Sequence, residues 1–77
     1  MEQTLIKGAL YRHYKGKIYR FLDIVRHSET LEELVVYRAL YHSKEFGKNA
    51  LWVSPRSMFL ENVNVVGKEV PRFKFVG

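Results

Sequence analysis

Short runs of strand-favouring residues make up most of this 77-residue chain, and turn-forming residues separate most of them. The longest apolar run, Leu34–Tyr41, has only Arg38 set inside it. Runs that are rich in aromatic and β-branched residues and bounded by glycine or proline are typical of strands joined by tight turns. The sequence therefore predicts an all-β or mostly β domain. The punctuating residues are Gly8, Gly16, Gly47, Pro55, Gly67 and Pro71.

The length is that of one small domain, residues 1–77, in which residues 1–7 form a loose lead-in. There is no cysteine, so packing must stabilise the fold without disulfides, and a reducing cytoplasm is the expected location. The N-terminus lacks the pattern of a signal peptide, and no apolar stretch approaches the roughly 20 residues that a membrane span needs. Neither export nor membrane insertion is predicted.

The first two predicted strands flank Lys15-Gly16-Lys17 and indicate a β-hairpin. A three-residue loop would place Arg12 opposite Arg20, whereas a two-residue loop would pair His13 with Arg20. Because like charges directly opposite each other are unfavourable, the second register is favoured. The two strands are Ala9–Tyr14 and Ile18 to about Arg26.

Two segments carry helix signals. Within the polar segment His27–Glu33, Thr30 and Glu33 fit a capping box that would hold one helical turn. Ser54-Pro55 is a second helix start, with serine as the cap and a turn from Arg56 to about Glu61. The remaining predicted elements are the strands Leu34–Tyr41 and Ala50–Val53, a turn region His42–Asn49, a hairpin of Val63–Val66 and Val70 around Gly67-Lys68-Glu69, and a closing strand with Phe73 and Phe75.

The predicted elements amount to five to six short strands with one helical turn before the last strand. Close spacing, with apolar residues on both sides of several strands, favours a small, partly open β-barrel of the SH3-like kind. An OB-fold is the less favoured variant.

Basic residues outnumber acidic ones by 13 to 8, and the formal charge of +5 favours polyanionic partners. Tyr-Arg recurs on three predicted strands, and aromatic faces stack on bases while arginine forks bind phosphate. Alternatively, the rings belong to the core and the arginine stems cover them. The candidate ligand-binding residues are Tyr11, Arg12, His13, Tyr14, Arg20, Arg26, His27, Glu29, Thr30, Tyr37, Arg38, Trp52, Arg56 and Arg72, with Tyr19 and Tyr41 as further stacking rings.

Distinctive motifs follow one another along nearly the whole chain. They are Gly8 with Tyr11–Gly16, Arg26–Thr30, Val35–Tyr37, Leu51–Val53 with Pro55, Met58-Phe59 and Val70–Phe73. In this order they resemble the short bacterial family called domain of unknown function 1653. The resemblance implies a stand-alone cytoplasmic domain and brings no established activity, cofactor or partner. The family pattern has arginine before the proline that follows the tryptophan strand, and it stays open whether Arg56 replaces it here, where Ser54 stands.

His13 and His27 need not be close in space, no histidine pair has a metal-ligand spacing, and without cysteine no metal site is expected. His27, Ser28 and Glu29 are the candidate catalytic residues, with Glu29 as the carboxylate to test first. Neighbours in extended chain point to opposite faces, however, so capping of loop amides is the more ordinary role for these side chains.

The sequence favours a small basic binding module over an enzyme, with nucleic acid or a nucleotide as the anionic ligand. The alternative is a protein or peptide adaptor, because SH3-like barrels bind peptides at strand edges and aromatic grooves. The third hypothesis is a small enzyme or accessory domain that uses the loop His27–Thr30. No cofactor is expected, and the ligand's identity and the oligomeric state stay open.

Overall fold

The computed structural model describes residues 5–77, which form nine strands and one short helix. In chain order these are β1 Leu10–His13, β2 Ile18–Arg26, β3 Glu33–Ala39, β4 His42–Ser43, β5 Gly47–Lys48, β6 Leu51–Pro55, α1 Arg56–Phe59, β7 Asn62–Val65, β8 Lys68–Pro71 and β9 Phe73–Phe75. Five strands form an antiparallel sheet in the order β6-β3-β2-β1-β9, and β4–β5 and β7–β8 are separate hairpins. The predicted mostly β class is confirmed.

The main sheet is open rather than closed into a barrel. Its edges are β6 and β9, and no strand pairing joins them within residues 5–77. The predicted turn region His42–Asn49 contains the two-residue strands β4 and β5, which raises the strand count above the predicted five to six. The SH3-like topology stays a prediction. Within residues 5–77, no helix has the length and apolar character to cross a bilayer.

The first hairpin is confirmed, but both predicted registers are wrong. Tyr11 lies opposite Tyr19, and the amide of His13 donates to the carbonyl of Lys17 at 2.8 Å. The loop is therefore Tyr14-Lys15-Gly16. Gly16 ends the loop with a φ of 110°, a conformation that costs glycine little, and a left-handed residue at the end of a three-residue loop is common in hairpins. The glycine closes the loop instead of occupying its centre.

The turn before β3 is a single α-turn that is not continued as a helix. The amide of Leu31 donates to the carbonyl of His27 at 2.9 Å, and Thr30 Oγ1 accepts from the amide of Glu32 at 3.2 Å. The predicted capping box is not formed because Glu33 already belongs to β3 and pairs across the sheet. Strand pairing therefore outweighs the local helix signal here.

The helix α1 begins where predicted, but Ser54 does not cap it. Its N-cap is Pro55, which makes no side-chain capping bond, and Ser54 Oγ instead shares a hydrogen bond of 2.7 Å with the Tyr37 hydroxyl. The helix ends at Phe59, before the expected Glu61, and it buries the Phe59 ring, which is 1% exposed.

The last hairpin is confirmed with a shifted turn. Val66 and Gly67 occupy the turn with φ values of 50° and 80°, so Lys68 and Glu69 belong to β8. Asn64 Oδ1 accepts from the Gly67 amide at 3.1 Å. Two successive residues with positive φ match the right-handed twist of a two-residue hairpin.

The core lies on one face of the main sheet. Side chains alternate along each strand, so Tyr11, Phe21 and Tyr37 point to this face, while Arg20 and Arg38 point away from it. α1 and β9 supply the rings that cover the face. The buried cluster comprises Ala9, Tyr11, Phe21, Val35, Tyr37, Phe59 and Phe73.

Candidate ligand-binding cleft

An open cleft of about 320 Å³ adjoins the core and is the site that we consider for function. This volume lies at the small end of ligand pockets, which span roughly 300 to 1,000 Å³. Its walls come from segments that are far apart in the sequence and meet only in the folded sheet. The lining residues are His13, Tyr19, Tyr37, Tyr41, Trp52, Ser54, Met58, Arg72 and Phe73.

Aromatic rings form most of the cleft wall. The Tyr19 ring lies 5.3 Å from Tyr37, 5.5 Å from Tyr41 and 5.6 Å from Phe73 between ring centroids, each time edge to face. This geometry is the favoured one for aromatic pairs, so the rings hold one another in place. The cleft is therefore a rigid apolar surface suited to a flat ligand.

Hydroxyl groups add a polar strip to this wall. Tyr19 and Tyr41 share a hydrogen bond of 2.6 Å between their oxygens, and Tyr37 shares one with Ser54. Burial, followed by the hydrogen bond with Tyr41, raises the pKa of the Tyr19 hydroxyl above its ordinary value of 10.0. The Tyr19 hydroxyl is therefore neutral near pH 7 and can both donate and accept.

Two donors in the cleft wall lack partners. Trp52 Nε1 and Arg72 Nε are buried and make no hydrogen bond within residues 5–77. A buried donor without an acceptor costs roughly 1 to 3 kcal/mol. Both atoms belong to cleft-lining residues but have almost no accessible surface, so they lie behind the cleft wall and do not face a ligand in it.

Basic groups lie in and beside the cleft. Arg72 lines it and is ion-paired, with Nη2 2.6 Å from Glu61 Oε1, and Lys17 Nζ lies 5.0 Å from the centre of the Tyr41 ring. No carboxylate is among the lining residues of the described chain. An anionic group is thus favoured over a cationic one at this surface.

His13 stands at one end of the cleft in a neutral form. Burial first, and then the nearby cations Arg72 and Lys15, lower the pKa of His13 below its ordinary value of 6.5. Its Nδ1 accepts from the amide of Lys15 at 3.2 Å, which assigns the proton of the neutral ring to Nε2. His13 can therefore donate through Nε2 without a charge.

The sequence profile of a family described as "Protein of unknown function (DUF1653)" matches residues 9–75. The chain belongs to this family. A crystal structure of a DUF1653 protein from Bordetella bronchiseptica is similar, with 33% sequence identity and a TM-score of 0.81 over 94% of this chain and 88% of that chain. No match was found among curated proteins. The resemblance drawn from the sequence motifs is confirmed.

In this DUF1653 domain the three Tyr-Arg dipeptides do not form one surface. Tyr11 is buried in the core, whereas Tyr19 and Tyr37 reach the cleft. Arg20 and Arg38 lie directly opposite each other on the other face of the sheet. Their Nη1 atoms donate to the backbone carbonyls of Gly8, at 2.6 Å, and Asn49, at 3.0 Å. The alternation of side chains along a strand separates each tyrosine from the arginine that follows it.

The candidate residues around His27 lie away from the cleft. His13 and His27 flank opposite ends of β2, whose nine residues span roughly 30 Å. His27 Nδ1 accepts from the amides of Glu29, at 3.1 Å, and Thr30, at 3.3 Å. Arg26 Nη1 donates to the Leu31 carbonyl at 2.7 Å. The imidazole thus engages backbone amides, while the side chains of Ser28 and Glu29 are exposed.

The remaining candidate ligand-binding residues lie partly in the cleft and partly outside it. Arg56 lies outside the cleft, where its Nη1 is 3.1 Å from Glu33 Oε1, so it does not take over the position of Ser54. Arg12 and Tyr14 line a second groove that begins at His13. Of the predicted ligand-binding residues, the cleft brings together His13, Tyr37, Trp52 and Arg72, with the further stacking rings Tyr19 and Tyr41.

Sequence reasoning missed Ser54, Met58 and Phe73 as cleft residues. Ser54 was assigned to a helix cap, although it follows Trp52 by two residues in a strand and must share its face. That spacing is the signal that would have placed it in the cleft. Within residues 5–77, no group of three or more His, Cys, Asp or Glu side chains is arranged to hold a metal ion.

Proposed function

We propose that this DUF1653 domain is a binding module whose aromatic cleft takes a nucleotide-sized anionic ligand with a planar ring. The observation that carries the proposal is the wall of Tyr19, Tyr37 and Tyr41 rings in a cleft that Arg72 also lines. A nucleotide supplies both parts, because its base offers acceptors and a flat face and its phosphate offers negative charge.

Charge distinguishes this ligand from the other common occupant of aromatic clefts. Quaternary ammonium groups also bind among tyrosine and tryptophan rings, through attraction to the ring faces. Here Lys17 already lies over the Tyr41 ring, and Arg72 and His13 line the same cleft. Lys17 and Arg72 are cations that would repel a cationic ligand and attract a phosphate, so the anionic ligand is favoured.

The test is a titration with the four ribonucleoside monophosphates, their nucleosides and choline, followed by NMR shifts of the cleft residues. We expect at least one monophosphate to bind more tightly than its nucleoside, and choline not to bind. Trp52→Ala removes an aromatic ring from the cleft wall, and it should weaken that monophosphate roughly 5- to 150-fold, the range for loss of one stacked base.

The matched control is Phe46→Leu. The Phe46 ring packs edge-on against Trp52 at 5.0 Å but does not line the cleft, so this change disturbs the packing of Trp52 and keeps the Trp52 ring in the cleft wall. Affinity should stay within about twofold of the unchanged protein. Binding of choline without any monophosphate, or equal losses in both variants, would contradict the proposal.

We further propose that the domain works in the cytoplasm, as the lack of cysteine favours. The adaptor hypothesis stays a prediction. The edge strand β6, where Leu51 and Val53 are each 57% exposed, is the place where an extended peptide would add to the sheet.

A further inference from the structure

A second concave surface lies directly beside the cleft. This groove has a volume of about 350 Å³ and runs between β1, β9 and the β7–β8 hairpin. His13 lines both the cleft and the groove, so the two surfaces meet at its ring. The groove is lined by Arg12, His13, Tyr14, Val65, Val70, Pro71 and Lys74.

Aromatic rings continue across the boundary. The His13 ring lies 5.0 Å from Phe73 on the cleft side and 4.6 Å from Tyr14 on the groove side. Tyr14 is 39% exposed, so its ring is accessible to a ligand. The path from cleft to groove therefore offers a series of rings on which successive bases can stack.

The groove also carries positive charge. Arg12 and Lys74 are directly opposite each other on β1 and β9, and neither has an acidic partner within residues 5–77. Like charges directly opposite in a sheet are unfavourable, and an anion between them would relieve the repulsion. No carboxylate lines the groove in the described part of the chain.

We propose that the ligand is single-stranded nucleic acid: its terminal nucleotide occupies the cleft, and the chain continues over His13 into the groove. The next base stacks on Tyr14, and a backbone phosphate lies between Arg12 and Lys74. This inference rests on the proposed function, since the first nucleotide occupies the same cleft. It adds that the ligand is longer than one nucleotide.

The test compares adenosine monophosphate with hexa-adenylate for each variant and uses the ratio of the two affinities as the readout. For the unchanged protein we expect hexa-adenylate to bind at least tenfold more tightly. Tyr14→Ala should lower the hexa-adenylate affinity roughly 5- to 150-fold, as expected for loss of one stacked base. Arg12→Ala with Lys74→Ala should bring the ratio close to one.

Salt dependence separates a phosphate contact from a change in shape. The slope of log affinity against log salt for hexa-adenylate should become shallower by about 0.7 for each phosphate contact that is lost. The control is Arg20→Ala with Arg38→Ala, which removes the same charge from the same face of the sheet at residues that do not line the groove, and it should keep the high ratio. Circular dichroism of all variants checks that the fold is retained.

Three outcomes would overturn the inference. Equal affinity for the two adenylates would show that the groove adds nothing, and the proposed function would still stand on the monophosphate. Equal losses in the two double variants would show that only net charge matters. Equally tight binding of hexaglutamate would show a general polyanion surface. If neither adenylate binds and none of the other monophosphates does, the proposed function itself fails.

Discussion

Two histidine clusters in this domain hold similar chemical groups but differ in how their hydrogen bonds are used. The turn after β2 combines His27 with Thr30, and their side chains accept three amides of the same turn. In the cleft, His13 accepts a single amide, and the donors of Trp52 and Arg72 have no acceptor within residues 5–77. The side chains of the turn are used in hydrogen bonds within the turn, whereas residues of the cleft keep hydrogen-bonding groups without partners.

The difference follows from distance along the chain. Polar side chains a few residues apart can reach the backbone amides between them, and those local bonds form before any ligand arrives. Polar side chains brought together by strand pairing bond to one another instead, as Tyr37 and Ser54 do, and those bonds depend on the fold of distant segments. A polar cluster in the sequence therefore predicts a well-tied turn more often than a site, as it does here.

The largest expected effect comes from replacing each of the two histidines separately by alanine. His13→Ala should lower the affinity for the nucleotide that binds the cleft by about tenfold, because it removes the Nε2 donor and the ring between cleft and groove. His27→Ala should leave that affinity unchanged and lower the free energy of unfolding by about 1 kcal/mol, as loss of a comparable cap does.

Calorimetric titration gives the affinities, and urea denaturation gives the stabilities. A loss of affinity on His27→Ala, with the fold intact, would contradict the assignment of ligand binding to the cleft and of a purely structural role to the His27 turn. An unchanged affinity on His13→Ala would remove His13 from the site.

The same comparison shows how far sequence reasoning reaches. Glycine and proline positions predicted the strands of the main sheet and the presence of both hairpins, because turn chemistry is local, but they did not predict β4 and β5. The hairpin register was missed because Gly16 closes its loop, and the capping box at Thr30 was missed because β3 pairs from Glu33 onward. The cleft depends on the strand order β6-β3-β2-β1-β9, which brings Trp52 and His13 together and is a long-range property.

Lowering the pH should have opposite effects on the stability of the domain and on its affinity for an anion, both through His13. Because burial, Arg72 and Lys15 lower the pKa of His13 below 6.5, the unfolded chain takes up this proton first. The contribution of His13 to stability should therefore be complete above pH 6.5 and decline as the pH falls below it. A bound phosphate favours the protonated ring, so affinity for an anion should instead rise over the same range, by about tenfold for each pKa unit that the ligand restores.

The measurement uses hexa-adenylate without a terminal phosphate, since phosphodiesters do not titrate in this range. His13→Gln should abolish both trends, whereas His27→Ala should keep both. If affinity stays flat with pH while the stability trend is present, the phosphate does not lie near His13.

The smallest expected effect concerns Leu31, which closes the His27 turn with a φ of 62° and is 62% exposed. A left-handed conformation costs a non-glycine residue roughly 1 to 2 kcal/mol, and glycine loses about 0.5 to 1 kcal/mol more entropy on folding. Leu31→Gly should therefore leave stability unchanged or raise it by up to about 1.5 kcal/mol. Leu40→Gly, at an exposed leucine without a positive φ, is the matched control and should destabilise. Nucleotide affinity should not change on Leu31→Gly, because the hydrogen bonds of the His27 turn are internal and the turn does not line the cleft. A drop in affinity on Leu31→Gly would show that the turn and the cleft are coupled.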